Sequence, residues 1–226
     1  MVKNSDCTDL HEYAQQVLTI KFDTSHRDAL QDILNWRRDI RHFRTDPVDE
    51  NLLLRLQMAM DLAPSVGNAR PWRVLRIEAP RLRAAVRAIF MAENTRAAKR
   101  YDGTQADAYH SLKLAGLDRA PVQLAVFTDT NPSEGHGLGR QTMPETLYQS
   151  TSMAIHTLWL AARAENLGLG MVSILDPHAI EQLLDVPEGW TFTAWLCLGY
   201  PETEDDSPLL HRNGWQANTQ TLWHIR

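Results

Sequence analysis

Residues 122–128, Val122-Gln123-Leu124-Ala125-Val126-Phe127-Thr128, are an apolar, β-prone run closed by Pro121 on one side and Asp129 on the other. Such a run between turn residues predicts a buried central strand. Downstream the period changes. From Pro144 to Asn166 the apolar and small residues recur at helical spacing, with Pro144 near the first turn and Gly168 beyond the end. One stripe of this helix, Thr151, Ala154, Leu158 and Ala161, is small-sided and lets another element approach closely. Core packing is the simpler use of it, a subunit contact the other.

Working outward, Ser25 can cap a helix over residues 25–38, in which Leu30, Ile33 and Leu34 share a face. A second helix is expected from Asp49 to Ala63, carrying Leu52, Leu53, Leu56 and Met60 and stopped by Pro64. Strands are expected at 72–77, 169–175 and 192–198, the last before the Gly199-Tyr200-Pro201 turn, with helices at 81–100 and 177–184. Helices and strands intermix, which predicts an α+β or layered α/β domain. No linker divides it, so residues 21–226 are expected to form one domain behind an N-terminal extension, residues 1–20.

Composition narrows the function classes. The chain has 226 residues, 43% of them hydrophobic and 23% charged, which excludes intrinsic disorder and a collagen-like fold. Its net charge of −5 argues against nucleic acid as a partner, and no apolar run approaches the length of a membrane span. The first ten residues lack a signal-peptide core, and Cys7 and Cys197 are too few for a disulfide framework. A cytoplasmic protein is expected. The nine histidines are scattered, so no metal is expected. Gly135, Gly137 and Gly139 do not complete a dinucleotide-binding fingerprint, and phosphate-loop, zinc-protease and hydrolase motifs are missing.

Three segments remain. Arg37-Arg38-Asp39-Ile40-Arg41-His42-Phe43 places three guanidinium groups within five residues. They suit a phosphate or carboxylate, although basic residues at a helix C-terminus also complement its dipole. Asp39 within the cluster either neutralises its neighbours or sits at a reactive position with a lowered pKa. Residues 63–72, Ala-Pro-Ser-Val-Gly-Asn-Ala-Arg-Pro-Trp, form a turn-rich link offering Ser65, Asn68 and Arg70, either as a ligand loop or as plain turn chemistry. Residues 168–177, Gly-Leu-Gly-Met-Val-Ser-Ile-Leu-Asp-Pro, contain two glycines that permit close approach of something planar, or a helix C-cap at Gly168.

In this order the three segments resemble the nitroreductase-like flavoprotein family, with its R-R-S-x-R-x-F run, A-P-S-x-x-N-x-Q-P-W turn and G-L-G strand, over about residues 26–216. Asp39 stands where the common pattern has Ser, and Arg70 where it often has Gln. With residues 109–122 (YHSLKLAGLDRAPV), 196–201 (LCLGYP) and 212–216 (RNGWQ), these departures are similar to the flavin-fragmenting branch, the 5,6-dimethylbenzimidazole synthases. The resemblance implies an α+β fold whose mixed or antiparallel sheet is flanked by helices, in an intertwined homodimer with FMN at the subunit interface. It also implies a reaction in which reduced FMN and O2 yield 5,6-dimethylbenzimidazole, the lower ligand of vitamin B12, and a sugar phosphate. FMN is then substrate, a separate flavin reductase supplies it reduced, and no metal takes part. Carried over, Arg37, Arg38 and Arg41 hold the phosphate and ribityl end with Arg212. Pro64, Ser65 and Asn68 reach the partner's FMN, Ile40 adds a contact, and Ser173 and the backbone at Leu175 face the reactive edge of the ring. Asp39 is the expected acid and base, and Ser173 a hydrogen-bonding catalytic group. The alternatives are an NAD(P)H-dependent nitro or quinone reductase that recycles FMN, and a flavin-binding protein without turnover.

Overall fold

The computed structural model describes residues 21–112 and 116–226. The expected extension, residues 1–20, lies outside the described residues. Contacts divide the chain after Asp32. Helix α1 (Thr24–Trp36) runs across that division and begins behind Asp23, whose Oδ1 accepts the backbone N–H groups of Ser25 (3.0 Å) and His26 (3.2 Å). Asp23, not Ser25, is therefore the cap. Ser25 donates its hydroxyl to the same oxygen, a contact that holds this exposed carboxyl down at about 2.

The second unit, Ile33–Arg226, is built on a four-stranded sheet in the order β1-β2-β4-β3, with every pair antiparallel. The strands are β1 (Trp72–Arg76), β2 (Val122–Asp129), β3 (Gly168–Val172) and β4 (Trp190–Gly199). Side chains alternate across each strand, and here both faces are covered. Val122 and Val126 of β2 with Ala194, Leu196 and Leu198 of β4 join one core, closed by α2 (Glu50–Met60) and α5 (Thr146–Ala164). Ala125 and Phe127 with Trp195 and Cys197 join the other, closed by α3 (Pro80–Ala98) and α6 (Pro177–Leu184). Two-sided burial explains why residues 122–128 read as a continuous apolar run. α5 turns its stripe of Thr151, Ala154 and Leu158 into the first core, while Ala161 is partly exposed.

Two short elements escape the periodicity. α4 (Gly103–Ser111) carries almost no apolar face, and Tyr109 fixes it by stacking on Tyr101 at 4.8 Å and donating its hydroxyl to Asn94 Oδ1 at 2.7 Å. α7 (Leu209–Arg212) is a single turn. β3 ends at Val172, three residues before its expected limit, because its pairing with β4 stops opposite Trp195.

The segment after α1 is extended. Asp39 forms a parallel bridge with Leu169 of β3, and Phe43 an antiparallel one with Pro201. Ile40 donates its N–H to the Leu169 carbonyl at 3.0 Å. The glycines of β3 admit this neighbour. A Cβ on Gly168 would stand 2.7 Å from Ile40 Cγ1, and one on Gly170 would stand 2.0 Å from the Ile40 carbonyl oxygen. What approaches them is their own chain, in place of the planar group the sequence allowed. Gly168 does not terminate α5 either, since the left-handed residue there is Asn166, with φ of 58°.

Gly170→Ala should therefore force the Ile40 carbonyl away from β3 and destabilise the protein by about 1–3 kcal/mol, the usual range for overpacking a close-fitted site. Urea unfolding at an unchanged m value measures this. Wild-type stability would mean that the 39–41 segment leaves β3 at no cost.

Candidate active site

α1 ends at Trp36, and Arg38 donates to the Asn35 carbonyl of its last turn, as the helix-end reading expected, while from Asp39 onward the run is extended against β3. In an extended segment residues i and i+2 share a side, which brings Asp39 and Arg41 together. Arg41 Nη2 donates to Asp39 Oδ2, and Arg41 Nη1 donates to the Met171 carbonyl at 3.0 Å. Asp39 Oδ1 in turn accepts the Met171 N–H at 2.9 Å. Carboxylate, guanidinium and the backbone N–H and carbonyl of one residue of β3 thus form a closed set. Arg41 is largely buried, while the Asp39 side chain keeps 39% exposure.

Burial raises the Asp39 pKa above the ordinary 3.8, outweighing Arg41, the Met171 N–H and Arg37, all of which act to lower it. This corrects the expectation of a lowered value. Even among arginines, partial burial opposes the charged form of the side chain.

Arg38, Asp39, Ile40, Arg41 and Arg212 line one cavity of about 70 Å³. Arg212 pairs there with Asp205 at 2.9 Å. Arg38 donates to the carbonyls of Asn35, Arg37 and Asp206. Arg37 is not in this group. Its guanidinium lies 5.2 Å from the ring centre of Trp159, beside a separate, smaller cavity. The Nε atoms of Arg37 and Arg38 are buried and have no hydrogen-bond partner. A buried donor without an acceptor on Arg38, in a cavity that Arg41 and Arg212 also line, suits an oxyanion, so the residues of that cavity fit the phosphate of FMN.

Ser173 and Leu175 lie beyond β3 and line another cavity, of about 230 Å³, with Arg96 of α3 and Arg100 just past its end. Ser173 stands two residues from Met171, about 7 Å along an extended chain. Among the described residues no hydrogen-bond partner of its hydroxyl is found. Asp176, next in the expected motif, is the cap of α6 and accepts the N–H groups of His178 and Ala179. Pro64, Ser65 and Asn68 line neither of these cavities. They belong to the loop behind α2, where Ser65 Oγ accepts the Arg70 N–H at 3.1 Å and the buried Ser150 Oγ accepts the Val66 N–H at 3.0 Å.

Trp159, Asp205, Arg96 and Arg100 were outside the sequence expectations. Arg96 and Arg100 carried a usable signal, two arginines one turn apart on a predicted helix. Trp159 carried none beyond its place in a helical pattern. Among the described residues no group of three or more metal-ligating side chains occurs.

The raised Asp39 pKa has a stability consequence. The folded chain binds this proton more tightly than the unfolded chain, so stability falls as pH rises from the ordinary carboxyl value through the raised one. Asn keeps an acceptor for the Met171 N–H and escapes that loss. Asp39→Asn is expected to equal or exceed the wild type in thermal stability at neutral pH, with the advantage vanishing on acidification. A less stable Asn variant at neutral pH would mean that pairing with Arg41 outweighs burial.

Comparison with known proteins places the chain in a family. The model of the Nitroreductase family matches residues 34–200. The 5,6-dimethylbenzimidazole synthase of Rhodobacter capsulatus is 63% identical over 207 residues, covering 92% of this chain and 100% of that protein. The 5,6-dimethylbenzimidazole synthase of Rhodospirillum rubrum is 52% identical, covering 87% of this chain and 93% of that protein. Among solved structures, an iodotyrosine deiodinase bound to FMN and 3-iodo-L-tyrosine superposes with a TM-score of 0.67 at 21% identity, over 87% of this chain and 97% of the other. A BluB-like flavoprotein from Clostridium difficile gives 0.60 at 23% identity, over 79% and 93%. These two likenesses concern the fold. The arginine run, the Ser65–Asn68 loop and the glycine strand all fall within the matched residues, and the chain belongs to the nitroreductase family.

Proposed function

We propose that this protein is an oxygen-dependent oxidoreductase that fragments reduced FMN to 5,6-dimethylbenzimidazole and a sugar phosphate. The observation that carries the reading is Asp39. A carboxyl with a raised pKa, fixed by a backbone N–H and an arginine, lines a cavity together with Arg38, Arg41 and Arg212. The relatives that share 52–63% of its residues carry the same activity in their names. Reduced FMN, when bound, supplies the electrons for O2 and is itself the molecule that is cut.

The roles of the side chains follow from their chemistry. Arg38, Arg41 and Arg212 hold the phosphate, with Arg37 behind them, because planar guanidinium groups grip phosphate oxygens in pairs. Asp39 takes a proton from the ribityl chain at a carboxylate oxygen and returns it to the leaving nitrogen. A carboxyl whose pKa is raised serves both directions better than an ordinary one. The Ser173 hydroxyl donates towards the reactive edge of the ring, and the backbone at Ile40 and Leu175 bounds the site. These steps call for no metal.

Pro64, Ser65 and Asn68 serve the partner's FMN in a homodimer. Leu54 and Met58 of α2 and the following Leu62 are 54%, 62% and 83% exposed at four-residue spacing, and Trp223 and Ile225 of the tail are more than nine-tenths exposed. Contiguous exposed apolar residues mark a surface that another chain covers. The protein works in the cytoplasm, and a separate flavin reductase delivers the reduced FMN. Among the described residues no helix is long and apolar enough to cross a membrane.

The test is to mix the purified protein with reduced FMN in air and follow small molecules by mass spectrometry. 5,6-Dimethylbenzimidazole is expected, above a protein-free control. Asp39→Asn should retain FMN binding and lose product formation by about 10²–10⁴-fold, the contribution of a placed acid–base group. Intact FMN with rapid NAD(P)H oxidation would make the protein a flavin-recycling reductase. Neither change would leave a flavin-binding protein.

A further inference from the structure

We propose that Trp159 is a positioning residue for the FMN phosphate, acting through Arg37 and Arg38; this rests on the reading that the arginine run holds that phosphate. α5 anchors Trp159 between core residues Leu158 and Ala162 and leaves its ring partly exposed towards the run. The indole Nε1–H donates to the Arg38 carbonyl at 3.1 Å, and the Arg37 guanidinium lies over the ring at 5.2 Å. One side chain therefore grips two consecutive arginines by two different contacts.

Both contacts set direction as well as place. The Arg38 carbonyl belongs to the peptide unit that enters Asp39, while the next N–H, of Ile40, is held by the Leu169 carbonyl at 3.0 Å. Trp159 on one side and β3 on the other fix the backbone at Asp39 from both ends. On the arginine side, two neighbouring cations repel each other. A ring face over Arg37 offsets that repulsion without occupying a hydrogen-bonding edge, so Arg37 remains able to meet an anion. The buried, partnerless Nε atoms of Arg37 and Arg38 belong to these same two residues.

A tryptophan that only fills space and one that aims two arginines differ in a measurable way. FMN and riboflavin share the ring and ribityl chain and differ in the phosphate alone. In the full-length protein, Trp159→Phe keeps the ring face for Arg37 and removes the N–H donor. Its FMN affinity should fall about fivefold, the worth of one hydrogen bond, with riboflavin affinity unchanged. Trp159→Leu removes both contacts and should lower FMN affinity about twentyfold, again without moving riboflavin. Fluorescence titration of both flavins against each variant reads the ratio, and should Trp159→Leu fail to fold, the Phe variant decides alone. Equal losses for the two flavins, or no loss for either, would reduce Trp159 to packing and overturn the proposal. A wild type with no preference for FMN over riboflavin would overturn the phosphate grip and this inference together. A selective loss in a protein that releases no benzimidazole would still support the positioning role while refuting the proposed reaction.

Discussion

The arrangement at the candidate site depends on a close approach that only glycine allows. The Ile40 carbonyl occupies the space that a side chain on Gly170 would fill, so the segment after α1 lies against β3 as a further, parallel neighbour of an otherwise antiparallel sheet. That contact decides the rest. With Ile40 turned towards β3, Asp39 meets the Met171 N–H and Arg41 closes the ring at the carbonyl of the same residue. The sheet beneath is buried on both faces, which makes it a stiff support. A catalytic carboxyl held by a strand backbone is positioned more rigidly than one carried on a loop.

What the sequence makes legible is what is locally encoded. The strand at 122–128 differs from the observed β2 by a single residue, and the helix at 177–184 agrees at both ends. An apolar run between turn residues, and an Asp-Pro start with Asp176 as cap, carry their own signals. The arginine run does not. Whether residues 37–41 continue a helix or join a sheet is settled by Leu169, some 130 positions away, and no periodicity within the run reports a partner at that distance. The glycines at 168 and 170 could be recognised as sites of close approach, but not what would approach them. The same limit applies to Arg37. Three arginines in five residues look like one cluster, yet Trp159 draws one of them to its own side.

Under the proposed reading, Asp39 serves structure with one oxygen and chemistry with the other. The Oδ1 acceptor fixes the side chain on the Met171 N–H, a task an amide would perform as well. The Oδ2 side faces Arg41, and here the negative charge matters, because burial opposes it and Arg41 supports it. The balance between the two leaves the proton bound more tightly than in an ordinary aspartate. A side chain chosen only for stability would not carry that opposition, which is the pattern expected where local rules yield to function.

The charge of Arg41 is then shared between two anions under the proposed reading. Arg41 lines the cavity assigned to the phosphate while its guanidinium holds Asp39. A phosphate near Arg41 offsets part of the positive field at Asp39 and adds negative charge close by, and both effects favour the protonated carboxyl. By linkage, a protonated Asp39 competes less for Arg41 and strengthens its hold on the phosphate to the same extent. Substrate binding and the readiness of the acid are therefore coupled through a single guanidinium, and the coupling follows from the close contact between Ile40 and Gly170 that brings all three groups to one edge of the sheet.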